Sequence, residues 1–251
     1  TTDVEIDGAP DSARIDAGEI AYLCEQASRY FTQPVLPADV VWSYSGVRPL
    51  LDDESGDASA VTRDYLLEFD QNGSSPLLSV WGGKITTFRK LAEEAADELV
   101  KRLGESCPAW TASALLPGGD LSAWIGPPQR PDLDIARFID ALATKYPQLP
   151  AATRERWARC YGGHVDRLLA QAGPSNGPGA EVAPGLFEAE LRHLHRNEWA
   201  RSADDVLWRR TKLGLHYTDT QRQAVADWPG WAHPQETPVF THPESRAAAC
   251  S

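Results

Sequence analysis

The sequence predicts a mixed α+β or α/β first half followed by an all-α second domain. Short apolar and β-branched runs in residues 1–106 have the pattern of strands, and one of them leads through a glycine pair into a helix. From Cys107 onwards, helical patterns follow one another with Gly or Pro between them. The net charge of −12 also divides there, because residues 1–106 hold 20 acidic and 9 basic side chains.

A strand and a helix are predicted first along the chain. "TTDVEID" alternates polar and β-branched residues, which predicts an edge or half-buried strand ending at Gly8. "GEIAYLCEQASRYF" has the spacing of an amphipathic helix that ends before Pro34. The predicted apolar face of this helix consists of Ile20, Leu23, Cys24, Ala27, Tyr30 and Phe31.

Three further strands precede a second helix. "DVVWSY" and "DYLLEF" are strand-like, and the unbroken apolar run "PLLSVW" predicts a strand buried on both faces. "GGKITTFRKLAEEAADELVKRLG" follows, with Gly104 at the position of a helix C-terminal cap. Its apolar residues repeat every four positions at Leu91, Ala95, Leu99 and Leu103. The predicted unit is therefore a buried strand, a glycine turn and a helix.

The second domain is predicted over residues 107–228. Its helical segments are "DLDIARFIDALATKY", "AATRERWARCYG", "HVDRLLAQA", "LFEAELRHLHRNEWA", "SADDVLWRRTKLG" and "TDTQRQAVADW". Ser202 and Asp205 form a pattern like a capping box at the start of one of them. "GPSNGPGAEVAPG" reads as a flexible linker, and residues 229–251 are expected to be a largely disordered tail.

Composition excludes several classes of protein. No apolar run approaches the ~20 residues of a membrane helix, so any membrane contact would be peripheral. An acidic surface repels phosphate backbones, which argues against nucleic-acid binding. The histidines lack helical metal-ligand spacing, so no metal site is predicted. Four well-separated cysteines, Cys24, Cys107, Cys160 and Cys250, are expected to be free thiols in a reducing, cytoplasmic compartment.

Arg48, in "SGVRPLLDDES", is the first candidate for a binding role. Pro49 restricts Arg48 to an extended backbone, and Gly46 allows a close approach. A guanidinium held in this way suits an anion with two oxygens. The alternative is an ion pair within its own loop, which spacing alone favours; the acids available are Asp52, Asp53 and Glu54. Arg63, next to Asp64 in "TRDY", presents the same choice.

Gly82 and Gly83, directly before a helix, are the second candidate. A helix start offers free backbone N–H groups and a partial positive charge, and glycines leave the approach open. Arg89 and Lys90 in the first turns indicate either a nearby anion or solvated surface. The GxxxxGK[ST] spacing of a nucleotide P-loop is absent. A plain tight turn and a ligand site both remain open.

A resemblance extends from residue 1 to about residue 228. The stretches "TTDVE", "VVWSYSGVRPLLDDES", "VTRDYLLEFD", "LLSVWGGKITTFRKLAE", "PAWT", "LPGGDL" and "RSADDVLWRRTKLG" occur in this order. Together they closely resemble the C-terminal half of the FAD-dependent, aerobic glycerol-3-phosphate dehydrogenases. The resemblance implies the end of a substrate-binding β-sheet domain and the last strand and helix of a glutathione-reductase-type FAD domain over residues 1–106. An all-α C-terminal domain would follow over residues 107–228.

The same resemblance assigns roles to individual residues. Arg48 and Arg63 are similar to the arginines that hold the substrate phosphate. The turn that approaches the flavin would consist of Gly82, Gly83, Lys84, Ile85 and Thr86. The catalytic residues and the GxGxxG unit that cradles FAD would lie in an N-terminal part. The sequence has no methionine, so we expect a piece of a longer protein that binds FAD poorly or not at all by itself.

The implied reaction is the oxidation of sn-glycerol 3-phosphate at C2 to dihydroxyacetone phosphate. FAD would be the cofactor and a quinone the electron acceptor, with peripheral association at the inner membrane. The helical domain would act as a scaffold or support a homodimer. Two alternatives remain open: a glycerol-3-phosphate oxidase that uses oxygen, and a non-catalytic helical interaction fragment.

Overall fold

The computed structural model describes residues 2–4, 6, 8–48, 64–70, 75–170 and 177–232. They form two compact units, the first ending at Ser113 and the second beginning at Ala114. The first unit contains α1 (Ala17–Ser28), β1 (Tyr65–Asp70), β2 (Leu77–Gly82) and α2 (Phe88–Arg102), with short 3-10 turns at Pro10–Ser12, Pro37–Asp39, Ile85–Thr87 and Thr111–Ser113.

Helix α1 begins with a reciprocal cap and ends earlier than predicted. The carboxylate of Asp16 accepts the amide of Glu19 at 2.8 Å, and the Glu19 side chain accepts the amide of Asp16 at 3.1 Å. The helix ends at Ser28, whose hydroxyl donates to the carbonyl of Cys24 and accepts the amide of Val35. These local bonds compete with the helical ladder and turn the chain back. Tyr30 and Phe31, predicted on the apolar face, therefore lie beyond the helix and are exposed.

Strands β1 and β2 form an antiparallel hairpin in which Tyr65 lies opposite Gly82 and Asp70 opposite Leu77. Helix α2 packs on one face of this hairpin. The Tyr65 hydroxyl donates to Glu94 at 2.7 Å, and the Arg102 guanidinium lies 3.6 Å from the centre of the Phe69 ring. The predicted order of strand, glycine turn and helix is therefore confirmed.

Three strand predictions for this unit are wrong. The "PLLSVW" strand is not buried on both faces, because a helix covers only one side of the hairpin; Leu77, Val80 and Trp81 are 61%, 49% and 48% exposed. The described parts of "TTDVEID" and "DVVWSY" contain no strand. A strand needs a hydrogen-bonding neighbour, and neither segment pairs with another within the described first unit.

The second unit is mostly helical. Its elements are α3 (Ser122–Ile125), α4 (Pro131–Lys145), α5 (Ala151–Tyr161), α6 (Val165–Ala170), β3 (Glu181–Ala183), β4 (Leu186–Phe187), α7 (Glu188–Asn197), a π-helix (Asp205–Arg210) and α8 (Asp219–Ala226), with 3-10 turns at Gly162–His164, Leu213–Leu215 and Pro229–Ala232. The predicted pairing of Ser202 and Asp205 is present, since each side chain accepts the other's amide.

The all-α prediction misses a two-stranded sheet in this unit. Strands β3 and β4 pair with each other, and β3 lies within the segment predicted as a flexible linker. Val182 and Ala183 pack against the core, which explains why this part of the segment is ordered. Of the predicted tail, Pro229–Ala232 form a 3-10 turn; the rest lies outside the described residues.

The apolar core belongs to the second unit. One cluster includes Phe138, Leu142 and Trp157, and another includes Val206 and Trp228. Among the described residues, Cys24 alone of the first unit's apolar side chains is buried. The described residues of the first unit therefore form no comparable apolar core.

The cysteine prediction needs one correction. Cys24 and Cys160 are free thiols, whereas Cys107 is disulfide-bonded. Cys250 lies outside the described residues. Spacing along the chain does not reveal which thiols the fold brings within bonding distance.

Candidate functional site

The five residues predicted to approach a flavin form one continuous corner between β2 and α2. Gly82 ends the strand with φ of 67°, and Gly83 follows with φ of 97°. Both values lie where only glycine fits without strain. Lys84 then returns to an extended backbone and precedes the 3-10 turn Ile85–Thr87, which leads directly into α2. The sequence needs its two glycines here because the chain reverses within two residues.

The corner presents groups that suit an electron-rich planar partner. The start of a helical segment leaves backbone N–H groups without carbonyl partners. Lys84 is exposed, and its ammonium makes no ion pair with any described residue. Ile85 is 89% exposed. A cation without an ion pair among the described residues, an apolar side chain and bare glycine backbone thus occupy the same corner, and these are the groups that the sequence predicted to face a flavin.

Arg89 and Lys90 are neutralised within their own helix. Glu93 accepts from Arg89 at 3.0 Å, from Lys90 at 3.3 Å and from the Thr111 hydroxyl at 2.7 Å. The hydrogen bond from Thr111, followed by that from Lys90, lowers the pKa of Glu93 below its ordinary value. The two cations therefore need no external anion.

Arg48 lies on the surface of the first unit, paired with an acid that sequence reasoning did not consider. Its Nη1 lies 2.9 Å from both carboxylate oxygens of Asp3. Arg63, like Asp52, Asp53 and Glu54, lies outside the described residues. Arg48 has no hydrogen bond or ion pair with the glycine corner. A side chain placed at Gly46 would meet nothing within 4 Å, so packing does not require that glycine.

Asp3 is held in place by the segment around it. The hydroxyl of the adjacent Thr2 donates to the Glu19 carboxylate, which also belongs to the cap of α1. Sequence reasoning missed the pair of Asp3 and Arg48 because 45 positions separate them. The available signal was that the "TTDVE" and "SGVRPL" stretches belong to the same ordered series of motifs.

The second unit contains a buried carboxylate that sequence reasoning also missed. Glu190 of α7 is fully buried and accepts from Arg156 at 2.6 and 2.5 Å. Trp157 donates to it at 2.9 Å and Tyr161 at 2.6 Å. All three donors lie on α5, so one acidic side chain joins the two helices. Because no solvent reaches the carboxylate and four hydrogen bonds from these three residues satisfy it, we assign it a structural role.

Burial shifts the pKa values of two titrating groups beside Glu190. The pKa of Tyr161 is raised, first by burial and then by the Glu190 charge. Burial lowers the pKa of His193 to about 4, and its ring lies edge-on to Tyr161 with centroids 5.5 Å apart. His193 therefore remains neutral at physiological pH and acts as a packing group.

Neither a membrane-spanning helix nor a metal-binding cluster occurs among the described residues. No helix in these ranges has both the length and the apolar composition needed to cross a bilayer. No group of three or more His, Cys, Asp or Glu side chains within them could hold a metal ion.

Two family models match the chain. Residues 1–89 match the family described as FAD dependent oxidoreductase. Residues 109–228 match the C-terminal domain of alpha-glycerophosphate oxidase. The first match includes the glycine corner and Arg48, and the second covers nearly all of the helical unit.

Three relatives illustrate the similarity. The chain is 42% identical over 91% of its length to the aerobic glycerol-3-phosphate dehydrogenase of Escherichia coli (strain K12). It is 40% identical over 91% of its length to the D-erythritol 1-phosphate dehydrogenase of Brucella abortus (strain 2308). It is also 40% identical over 95% of its length to the glycerol-3-phosphate dehydrogenase of Pseudomonas aeruginosa. The chain spans 44%, 44% and 45% of these relatives, respectively.

Proposed function

We propose that this chain is the C-terminal part of an enzyme that oxidises sn-glycerol 3-phosphate to dihydroxyacetone phosphate. Residues 1–89 match the FAD dependent oxidoreductase family, and residues 109–228 match the C-terminal domain of alpha-glycerophosphate oxidase. The observation that carries the proposal is the 42% identity to a glycerol-3-phosphate dehydrogenase over 91% of the chain. Residues 1–106 would complete the substrate and FAD domain, and residues 107–228 would form the helical domain, which serves as a scaffold or supports a homodimer.

Arg48 binds the substrate phosphate in this proposal, together with Arg63. Support comes from the exposed position of the Arg48 guanidinium and from its unused donors: no described residue bonds to its Nε or Nη2. Each charge-assisted hydrogen bond to a phosphate oxygen contributes about 1.5–3 kcal/mol. Two arginines can therefore discriminate strongly in favour of a phosphorylated polyol.

The glycine corner contacts the flavin in this proposal. Lys84 and the first backbone N–H groups of the helical segment stabilise negative charge that develops on the ring. FAD, when bound, supplies the acceptor for the hydride that leaves C2 of the substrate. The C2 hydroxyl loses its proton to a base that we place outside this chain, and a ketone results.

Two observations favour specific variants of this function. The name of the matched C-terminal family, alpha-glycerophosphate oxidase, favours an enzyme that passes electrons to oxygen rather than to a membrane quinone. The 40% identity to a D-erythritol 1-phosphate dehydrogenase favours a longer polyol phosphate as substrate. All three relatives named above are dehydrogenases by name, and two of them are glycerol-3-phosphate dehydrogenases, which supports a dehydrogenase that acts on glycerol 3-phosphate.

The test is an assay of the complete FAD-loaded enzyme that contains this chain. We expect glycerol 3-phosphate to reduce a soluble quinone analogue rapidly, with little oxygen uptake. Hydrogen peroxide produced in step with oxidised substrate would establish the oxidase instead. A higher kcat/KM for D-erythritol 1-phosphate than for glycerol 3-phosphate would identify the longer polyol phosphate as the substrate. Absence of turnover with every polyol phosphate would overturn the proposal and favour a non-catalytic interaction module.

Replacement of Arg48 tests the phosphate site. Arg48→Ala removes one charged donor pair, so we expect KM for glycerol 3-phosphate to rise about 10- to 100-fold. FAD content, read from flavin absorbance, should not change. Arg29→Ala is the matched control, because Arg29 is an exposed arginine of the same unit whose contact with Glu25 is 4.0 Å long. Equal KM values for the two variants would refute the role of Arg48.

A further inference from the structure

We infer that Asp3 is a positioning residue that orients the Arg48 guanidinium for the substrate phosphate, an inference that rests on the proposed function. The guanidinium carries its donors in a rigid planar fork. In the structure, both carboxylate oxygens of Asp3 engage the same terminal nitrogen, Nη1, at 2.9 Å. The carboxylate therefore holds one end of the fork.

The opposite edge of the Arg48 guanidinium makes no contact with the described residues. Neither Nε nor Nη2 bonds to a described residue. These two N–H groups point in parallel along one edge, which is the arrangement that binds two oxygens of a phosphate. A phosphate can thus bind Arg48 while Asp3 keeps its contact, because the phosphate and the Asp3 carboxylate use different nitrogens of the guanidinium.

Asp3 is itself fixed to a helix. The hydroxyl of Thr2 donates to Glu19, and Glu19 and Asp16 cap α1 reciprocally. The Thr2–Glu19 hydrogen bond therefore attaches the backbone of Thr2 and Asp3 to the start of α1, and Asp3 in turn contacts Arg48. This mounting limits the orientations that the long arginine side chain can adopt.

Asp3 could instead weaken phosphate binding by its negative charge. That effect is small here, because the pair is solvent-exposed, with 43% of the Arg48 side chain and 26% of the Asp3 side chain accessible, and water and salt screen exposed charges. When Asp3 is replaced, the lost orientation of the Arg48 guanidinium therefore affects phosphate binding more than the removal of the negative charge does. Ordering one long side chain at a binding site changes affinity by roughly two- to tenfold.

The test compares variants of the complete FAD-loaded enzyme. Asp3→Asn should raise KM for glycerol 3-phosphate about two- to tenfold, with kcat within about twofold of wild type. The inhibition constant of inorganic phosphate should rise by the same factor. Asp3→Glu keeps the carboxylate and should raise KM less. Asp11→Asn is the matched control, since Asp11 is exposed and its carboxylate has no hydrogen bond or ion pair among the described residues; it should leave both constants unchanged.

A double variant separates positioning from a general structural effect. If Asp3 acts through Arg48, then adding Asp3→Asn to Arg48→Ala should raise KM no further. Additive effects, an unchanged KM or a lowered KM would each overturn the inference. Loss of flavin and of kcat in both Asp3→Asn and Asp3→Glu would also overturn it, in favour of a structural role. Failure of the proposed function is distinguishable, because it appears as absence of turnover in the wild-type enzyme.

Discussion

Glu190 and Arg48 both take part in ion pairs, but their surroundings give the pairs different consequences. Glu190 has no contact with solvent and receives four hydrogen bonds from α5. Breaking a pair of this kind leaves an uncompensated buried charge, which is strongly destabilising. Arg48 and Asp3 form an exposed pair, which contributes little to stability. We therefore assign Glu190 to folding, whereas the weak, exposed pair leaves Arg48 available for the phosphate-binding role proposed above.

The role of Glu190 can be tested by a nearly isosteric replacement. Glu190→Gln removes the charge that Arg156 faces, so we expect the second unit to lose about 3–5 kcal/mol of unfolding free energy. Urea titration followed by the fluorescence of Trp157 and its neighbours measures this change. Glu155→Gln is the control, because Glu155 forms only an exposed pair with Arg159 on the same α5 helix. A loss no greater than that of the control would contradict the assignment.

At the scale of elements, the corner between β2 and α2 is the feature with the clearest link to function. Two consecutive glycines with positive φ reverse the chain, and Lys84 follows them before the helix begins. At the other end of α2, the amide of Glu105 donates to the carbonyl of Val100, and Gly104 adopts φ of 77°, which is a Schellman cap. Glycine thus has different uses at the two ends of the helix. It forms the corner at which we propose a flavin contact, and at the C-terminus it adopts the conformation that lets following amides bond to the last carbonyls.

Gly83→Val tests the corner. A Cβ atom at position 83 would lie 3.4 Å from Tyr65 Cβ, which is an ordinary contact, so the variant is strained mainly by its φ of 97°. We expect the complete enzyme to be purified without flavin absorbance, because the branched side chain crowds the ring. Gly104→Val is the matched control, with φ of 77° and no atom within 4 Å of its added Cβ. Full flavin content in both variants would count against a flavin contact at the corner.

At the scale of the whole molecule, the two units differ in how they are stabilised. The second unit contains both apolar clusters and a fully hydrogen-bonded buried carboxylate. The first unit buries only Cys24 among its described apolar side chains and leaves Leu66, Leu77 and Trp81 about half exposed. Burial of apolar area is the main favourable contribution to folding. The second unit therefore has the means to fold alone, whereas the described part of the first unit buries too little apolar area to do so.

Expression of each unit separately checks this difference. We expect a polypeptide of residues 114–232 to unfold in one cooperative thermal transition, because its core is complete. A polypeptide of residues 1–113 should bind a hydrophobic dye such as ANS and melt without a sharp transition. The intact chain serves as the reference for both. A cooperative transition in residues 1–113 without dye binding would contradict this account.

The sequence by itself determined the helices of both units, the order of strand, glycine turn and helix, and the family resemblance. These features depend on neighbouring residues: apolar repeats, caps such as Ser202 with Asp205, and glycines where φ must be positive. The tertiary structure decided the pairing of Arg48 with Asp3 and the four hydrogen bonds from α5 to Glu190. It also decided the small sheet of β3 and β4 and the one-sided burial of β2. Those features depend on which distant segments come into contact. A local sequence pattern does not indicate which distant segment will pack against it. An apolar strand such as β2 reads the same whether one face or both are covered, because only its neighbours in space determine how much of it water reaches.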